Sequence, residues 1–334
     1  MKKVAVVILN WNGKKLLEKY LPSVVKYSSD YNIYVADNGS TDDSIEFLQK
    51  YFPTVKIISL DKNYGFTGGY NRALFQIESD YFVLLNDDVQ VTNDWISPIV
   101  NLMESDDKIA VCQPKLLSYT DKQKFEYAGA AGGYIDYLGY PFCAGRIFEH
   151  LEKDEGQYNQ TREVFWASGA AMFVKSVVFK QLGGLDERFF AHMEEIDFCW
   201  RVKNNGYKVM YCPDSKVYHY GGATLNKKQP KKTYLNFRNN LLLLYKNLPE
   251  NQLQDVFRKR KYLDLLASFI FLLTSSKSES KAVLDAIRDF KQMKDSVKRQ
   301  AEHINDYPTQ VYKKSLILSS KIFRKNRFSQ LKMS

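Results

Sequence analysis

The stretch YFVLLNDDVQV, residues 81–91, poses the question on which the reading of this chain turns. Five mostly apolar residues, Tyr81 to Leu85, have the continuity of a strand buried on both faces, and they run directly into Asn86, Asp87 and Asp88. Adjacent carboxylates repel each other, so their place at the end of a buried strand has two readings. One is a solvated turn, for which Asn-Asp-Asp is suitable chemistry. The other is a divalent cation, Mg2+ or Mn2+, which takes oxygen ligands, cancels the repulsion and commonly sits between a protein carboxylate and a substrate phosphate.

Outward from this stretch, the first 110 residues alternate β-rich and helix-like runs. KVAVVILN, YNIYVADN and VKIISL read as three further strands; KKLLEKYLPSVVKYS, STDDSIEFLQKYF and TGGYNRALFQIE read as the helices between them. Ser40 and Thr41 are cap candidates for the second helix. Such alternation predicts βαβ units and a parallel sheet, in which ligands bind at the carboxyl ends of the strands. Chemistry is therefore expected at Asn10, Trp11 and Asn12, at Asp37 and Asn38, at Asp61, and at the acidic turn. Asp37 can accept hydrogen bonds from a nucleobase or ribose, or serve as an early helix cap. NYGFTGGYNRAL, which holds Asn63 and Gly65, supplies glycines where the backbone passes close to a ligand. Neither a GxGxxG nor a GxxxxGK[ST] pattern occurs, which disfavours a dinucleotide or P-loop enzyme.

Residues 108–220 are less regular, with Gly-rich and aromatic stretches expected as loops or short antiparallel strands. In HMEEIDFCWR, Glu194, Glu195 and Asp197 crowd a helix start, where the dipole favours anions. Asp197 and Arg201 are four apart and can pair on one face, which leaves Glu194 and Glu195 as ionised carboxylates suited to take a proton from a hydroxyl. Gly206 is a suitable stop for that helix, and YKVMYC and KVYHY are expected as two short strands. His219 then follows a strand, as a metal ligand or a structural imidazole.

At 334 residues, 45% hydrophobic and 26% charged, the chain is expected to fold as one large α/β domain with a smaller appendage. The six-residue run Val4 to Leu9 is too short for a signal peptide, so the opening reads as a first strand in a cytoplasmic protein. Cys112, Cys143, Cys199 and Cys212 have no CxxC spacing, which argues against structural zinc or a disulfide framework. Residues 227–334 carry 24 Lys and Arg against nine Asp and Glu, a net +15, while residues 1–226 carry 24 against 29, a net −5. FRKRKY beside LDLLASFIFLLT fits a helix on an anionic membrane surface, at about 1 kcal/mol per headgroup-proximal cation. It equally fits a helical tail packed on its own domain; no nucleic-acid module is recognisable.

In this order the segments VVILNWNG, DNGSTDDS, NYGFTGGYNRAL, LLNDDV, GAAMFVKSVVFKQLGGLDERFFAHMEEIDFCWRVKNNGYKV and VYHYGGAT resemble the family 2 inverting nucleotide-sugar glycosyltransferases of A-type fold. The nearest likeness is to the bacterial rhamnosyltransferase-like and galactofuranosyltransferase-like branch, over about residues 3–245. The resemblance implies a mixed, mostly parallel sheet flanked by helices over residues 1–226, while the charge and pattern of 227–334 are expected to give a basic, mostly helical region for membrane-surface association or oligomerisation, such as a homodimer. It implies a UDP- or dTDP-sugar donor, with Asp37 at the base and Asn10, Trp11, Asn12, Asn63, Gly65, Asn86 and Asp87 lining the nucleotide. Asp88 and His219 would hold Mg2+ or Mn2+; Asn86 stands where the family often has Asp and carries no charge. The base maps to Glu195, a methylene longer than the family's Asp, with Glu194 or Asp197 able to share the role. The acceptor is expected to be a glycan or polyprenyl-linked hydroxyl in surface polysaccharide synthesis, reached at the inner face of the membrane. Two rivals are a sugar-phosphate nucleotidyltransferase, whose Gly-rich, Arg-containing loop ILNWNGKK lacks, and a noncatalytic protein of the same fold. Trp11, Trp166 and His192 are expected to shape the sugar pocket.

Overall fold

The computed structural model describes residues 2–221, 230–274, 276–300 and 306–333. The first four strands and three helices fall where the alternation predicts them: β1 (Val4–Asn10), α1 (Lys14–Tyr27), β2 (Asn32–Asp37), α2 (Ser44–Tyr51), β3 (Lys56–Ser59), α3 (Gly65–Leu74) and β4 (Tyr81–Asn86). The acidic turn leads to β5 (Val89–Val91), α4 (Ser97–Glu104) and the long β6 (Ile109–Ser118). Short strands follow, β7 (Gly133–Asp136), β8 (Pro141–Cys143), β9 (Arg146–Ile147), β10 (His150–Leu151) and β11 (Arg162–Glu163), and then β12 (Ala171–Lys175), α5 (Ser176–Gln181), α6 (Glu194–Asn204) and β13 (Lys208–His219). The basic region forms α7 (Pro230–Asn247), α8 (Glu250–Thr274) and α9 (Lys277–Met293), and β14 (Val311–Tyr312) lies near the end.

The main sheet runs β11-β13-β6-β12-β4-β1-β2-β3, with β5 pairing to β13. β4, β1, β2 and β3 are mutually parallel, and β12 is antiparallel to both β4 and β6. β4 is mostly apolar from Tyr81 to Leu85 because both its faces are covered. Phe82 and Leu84 join a core with α3, α5, α6 and α7, while Tyr81, Val83 and Leu85 join a second core with α1, α2 and α4. The two strands expected at YKVMYC and KVYHY are one strand, β13, whose register slips between Cys212 and Lys216 as it follows β6. A second sheet, β10-β9-β8-β7-β14, lies apart from the first.

The boundary expected near residue 226 lies outside the described residues, as do Gly222, Ala223 and Thr224 of VYHYGGAT. Leu241 to Leu244 of α7, Val256, Phe290 and Phe328 share one hydrophobic core with Phe82 and Trp200, and β14 pairs with β7. The four cysteines are buried and free. Among the described residues no helix is long and apolar enough to cross a membrane.

Candidate active site

Three loops at the carboxyl ends of β1, β2 and β3 are stitched together by short polar side chains. Asn10, fully buried, donates through Nδ2 to Asp37 Oδ1 at 2.9 Å and to Ser40 Oγ at 3.1 Å. Its Oδ1 is buried without a partner. The second Asp37 oxygen accepts from the Ser40 amide at 3.0 Å, and Asn12 Oδ1 accepts from the Thr41 amide at 2.7 Å. Ser40 and Thr41 thus tie loops together, and α2 starts after Asp43 instead, with Asp42 accepting from the Ser44 amide. Asn63 Oδ1 accepts from the Gly65 amide at 2.8 Å and from Asn38 Nδ2 at 3.1 Å. Gly65 adopts φ +72°, and a Cβ there would lie 2.6 Å from the Phe190 ring, so glycine is required on both counts. Trp11 stands 48% exposed beside this cradle.

The acidic turn is fixed by strand pairing. Val89 of β5 sits opposite His219 of β13, which brings Asp88 Oδ1 to 2.9 Å from His219 Nε2. The Tyr220 and Gly221 amides donate to the Asp88 carbonyl and Oδ2 at 3.0 and 3.1 Å. Asn86 Nδ2 lies 3.4 Å from the same imidazole nitrogen. On the other side of the ring, Glu126 Oε1 stands 3.3 Å from Nδ1, at ion-pair distance but out of hydrogen-bond alignment. Burial works against a charged imidazole here, yet Glu126 and Asp88 outweigh it and hold His219 well above the usual histidine range. Burial likewise opposes the Asp88 carboxylate, but the neighbouring His219 holds it below its ordinary value. For Asp87, burial together with the Asp88 charge outweighs the His219 charge and pushes it up to about 7.

Asp88 and His219 are the residues here that would hold a divalent cation. Asp88 would offer a carboxylate and His219, once its proton is displaced, an imidazole nitrogen at the same point, with Asp87 beside them. No third His, Cys, Asp or Glu joins them in a common cluster among the described residues, so the remaining ligands must be substrate or solvent oxygens.

The start of α6 is reached through a strained loop. Phe190, His192 and Met193 all have left-handed φ, +63°, +70° and +72°, a conformation that side chains disfavour. Asn239 of α7 is fully buried and its Nδ2 sits 2.8 to 2.9 Å from the Phe189, Ala191 and His192 carbonyls, which braces the loop from outside. Glu194 and Glu195 follow. Burial, with the Glu195 charge, lifts Glu194 well above the carboxylate range, and burial pushes Glu195 up to about 7. Each has a buried oxygen without a partner. The expectation that the helix dipole would hold them ionised is thus corrected: desolvation outweighs the dipole. Glu195 is the more accessible of the two, and a Cβ on Gly169 would lie 3.9 Å from its Cβ. The adjoining Ala170 carbonyl accepts from the Asn86 amide at 3.0 Å, so one segment links the acidic turn to the start of α6.

Asp197 is placed for a different task. It is fully buried; Oδ2 accepts from Arg201 Nε at 2.9 Å, and Oδ1 meets Lys246 Nζ at 2.7 Å and Asn247 Nδ2 at 2.8 Å. Despite burial, Lys246 and Arg201 hold it below its ordinary value, and no oxygen is left to take a hydroxyl proton. Trp166 is likewise a core residue, with Nε1 donating to the Tyr134 carbonyl at 3.0 Å and its ring packed over Gly133. His192 is half-buried, its Nε2 has no partner, and burial lowers it to about 4.

The comparisons with known proteins give the family and the fold. The family model described as glycosyl transferase family 2 matches residues 5–183, more than half of the chain. The chain belongs to glycosyl transferase family 2. This glycosyltransferase is 26% identical over 232 residues to an N-acetylglucosaminyl-diphospho-decaprenol L-rhamnosyltransferase of Mycobacterium tuberculosis, covering 64% of this chain and 75% of that one. It is 25% identical over 226 residues to the rhamnosyltransferase WbbL of Escherichia coli K12, covering 65% and 83%. In fold it is similar to S. aureus TarS 1-349 in complex with UDP-GlcNAc, at TM-score 0.56 and 15% identity over 87% of this chain and 81% of that one. It is also similar to GalNAc-T7 with UDP, GalNAc and Mn2+, at TM-score 0.60 and 15% identity; it covers 88% of this chain and about half of that longer one, 55%. Two residues that support this candidate site escaped the sequence reading. Glu126 lies in a stretch read only as loop, and Asn239 in a helix read only as tail; neither has a local pattern that marks it.

Proposed function

We propose that this glycosyltransferase moves a sugar from a UDP- or dTDP-sugar to a hydroxyl of a lipid-linked glycan acceptor in surface polysaccharide synthesis, with inversion at the anomeric carbon. The observation that carries the reading is the pairing of two carboxylate sites across one segment: the Asp88–His219 pair at the end of β4, and Glu195, accessible and lifted to about 7, at the start of α6. Asn10, Trp11, Asn12, Asp37, Asn63 and Gly65 would bind the nucleoside, and Asn86 and Asp87 would face the diphosphate. Asp88 and His219 would hold Mg2+ or Mn2+, which when bound supplies positive charge against the departing diphosphate.

Glu195, once ionised, takes the proton of the acceptor hydroxyl. The oxygen forms a bond to the anomeric carbon while the bond from that carbon to the diphosphate oxygen breaks, and the nucleoside diphosphate leaves with the electron pair. One displacement inverts the centre, and no covalent nucleophile is needed. Glu194, the more buried of the two, is lifted well above the carboxylate range by burial and the Glu195 charge and stays protonated. The lipid-linked acceptor is supported by the decaprenol-linked activity in the name of the M. tuberculosis relative. The test is nucleotide release from UDP- and dTDP-sugars with Mn2+: wild type turns over, and Asp88→Ala and Glu195→Gln do not. Full activity in both variants would overturn the assignment.

A further inference from the structure

Helix α8 has its polarity reversed. Its buried residues, four apart, are Val256, Arg260, Asp264 and Ser268. Arg260 donates to the Leu138 carbonyl at 2.9 Å and pairs with Asp264 at 3.2 Å, and Ser268 meets Ser280 of α9 at 2.9 Å. The outward face carries Tyr262, Leu265, Leu266, Phe269, Ile270 and Leu273 at the spacing of one helical stripe, each between 42% and 68% exposed. A helix that packs polar groups inward and a continuous apolar stripe outward is built for a non-aqueous neighbour. Between Lys261 and Lys277 the only charged residue is Asp264, which is turned inward. Arg258, Lys259 and Lys261 are exposed at the head of the stripe, and Asp255 answers only the first two. The same mixture recurs further along, where Ile322 and Phe323 are 64% and 68% exposed between the exposed Lys321 and Arg324.

We propose that the outer face of α8 docks on an anionic lipid bilayer, with its apolar side chains among the upper acyl chains and Arg258, Lys259 and Lys261 at the phosphates. Charge decides between this occupant and a second copy of the chain. Residues 227–334 carry a net +15, so self-association sets two strongly positive surfaces together, whereas an anionic lipid surface complements them. The stripe is amphipathic and in-plane, suited to lying on a membrane. The inference rests on the lipid-linked acceptor proposed above, because it keeps the enzyme where such an acceptor resides.

The experiment uses the full chain and a Phe269→Ser, Leu273→Ser double variant, both changes at exposed positions. Each is mixed with vesicles of phosphatidylcholine alone or of equimolar phosphatidylcholine and phosphatidylglycerol, and partitioning is read by sedimentation. Nucleotide release from the donor is measured in parallel without vesicles. Wild type should bind the phosphatidylglycerol vesicles in a salt-sensitive way, and the double variant about tenfold more weakly or worse, with unchanged nucleotide release. Three results overturn the proposal: wild type left in the supernatant, equal binding by the variant, or a dimer that the substitutions break without altering vesicle binding. Donor turnover without vesicle binding removes the docking surface and leaves the transferase reading standing. Vesicle binding without donor turnover upholds the docking surface and removes the transferase reading.

Discussion

Replacing Glu195 by Gln tests whether burial has prepared this carboxyl as a base. Burial lifts it from its ordinary 4.5 to about 7, a difference worth about 3 kcal/mol between its protonated and ionised forms. Below pH 4.5 the folded and unfolded chains both hold the proton. Between 4.5 and about 7 the unfolded chain has released it and the folded protein keeps it, so folding takes up a proton and stability falls as pH rises. Above about 7 the loss is complete. Urea unfolding of wild type and Glu195→Gln at about pH 5 and about pH 8 should therefore diverge, with wild type losing about 3 kcal/mol more than the variant. Asp87, also lifted to about 7, contributes equally to both proteins and cancels in the difference. In the same window wild-type kcat/KM should rise about tenfold per pH unit until Glu195 is ionised, while the variant stays inactive throughout. Parallel stability curves for the two proteins would refute the reasoning, because Glu195 would then be solvated in the folded state.

Glu126→Gln should weaken Mn2+ binding about 10- to 100-fold, because it loosens the support behind the His219 ring; titration of Mn2+ in the presence of nucleotide reads it. Asn239→Ala should destabilise the protein by about 1–3 kcal/mol and lower kcat more than it raises the donor KM, since three carbonyls of the loop before Glu194 lose their donor. Asp197→Asn should cost about 3–5 kcal/mol in chemical denaturation by leaving buried Arg201 without its carboxylate and Lys246 with Asp186 alone, and its folded fraction should keep catalysing transfer, an outcome incompatible with a base at that position.

The acidic turn and the start of α6 were legible because their chemistry is local: an apolar run ends in carboxylates, or carboxylates open a helix. β6 was not. Its stretch IAVCQPKLLS is interrupted by Gln113, Pro114 and Lys115, which spoil any period, yet all three are in a buried strand. Tertiary partners supply what the pattern lacks, since Lys115 pairs with Asp154 at 2.6 Å and Gln113 Oε1 accepts from the Ser168 amide at 2.9 Å. The irregularity of β13 likewise follows from Pro213, which cannot donate to a ladder and sits where the register slips. Glu126 is 93 residues from His219, a separation that leaves no trace in spacing. The reversed polarity of α8 was hidden for another reason: LDLLASFIFLLT announces apolar content but not which side is turned outward.

The site and the basic region are mechanically one unit. A loop with three left-handed non-glycine residues costs about 1–3 kcal/mol at each and persists only where its surroundings over-determine it. The surroundings here come largely from α7. Asn239 holds three of the loop's carbonyls, Arg238 donates to those of Arg188 and Phe189, and Lys246 binds both Asp186 before the loop and Asp197 after it. Residues 1–221 alone would leave the loop free to relax to ordinary φ values, and Asp197 with Arg201 as its one cation. The direction in which Glu194 and Glu195 enter α6 is therefore set by residues well beyond the family motif, and α8, next along the chain, extends from the same scaffold that braces the start of α6.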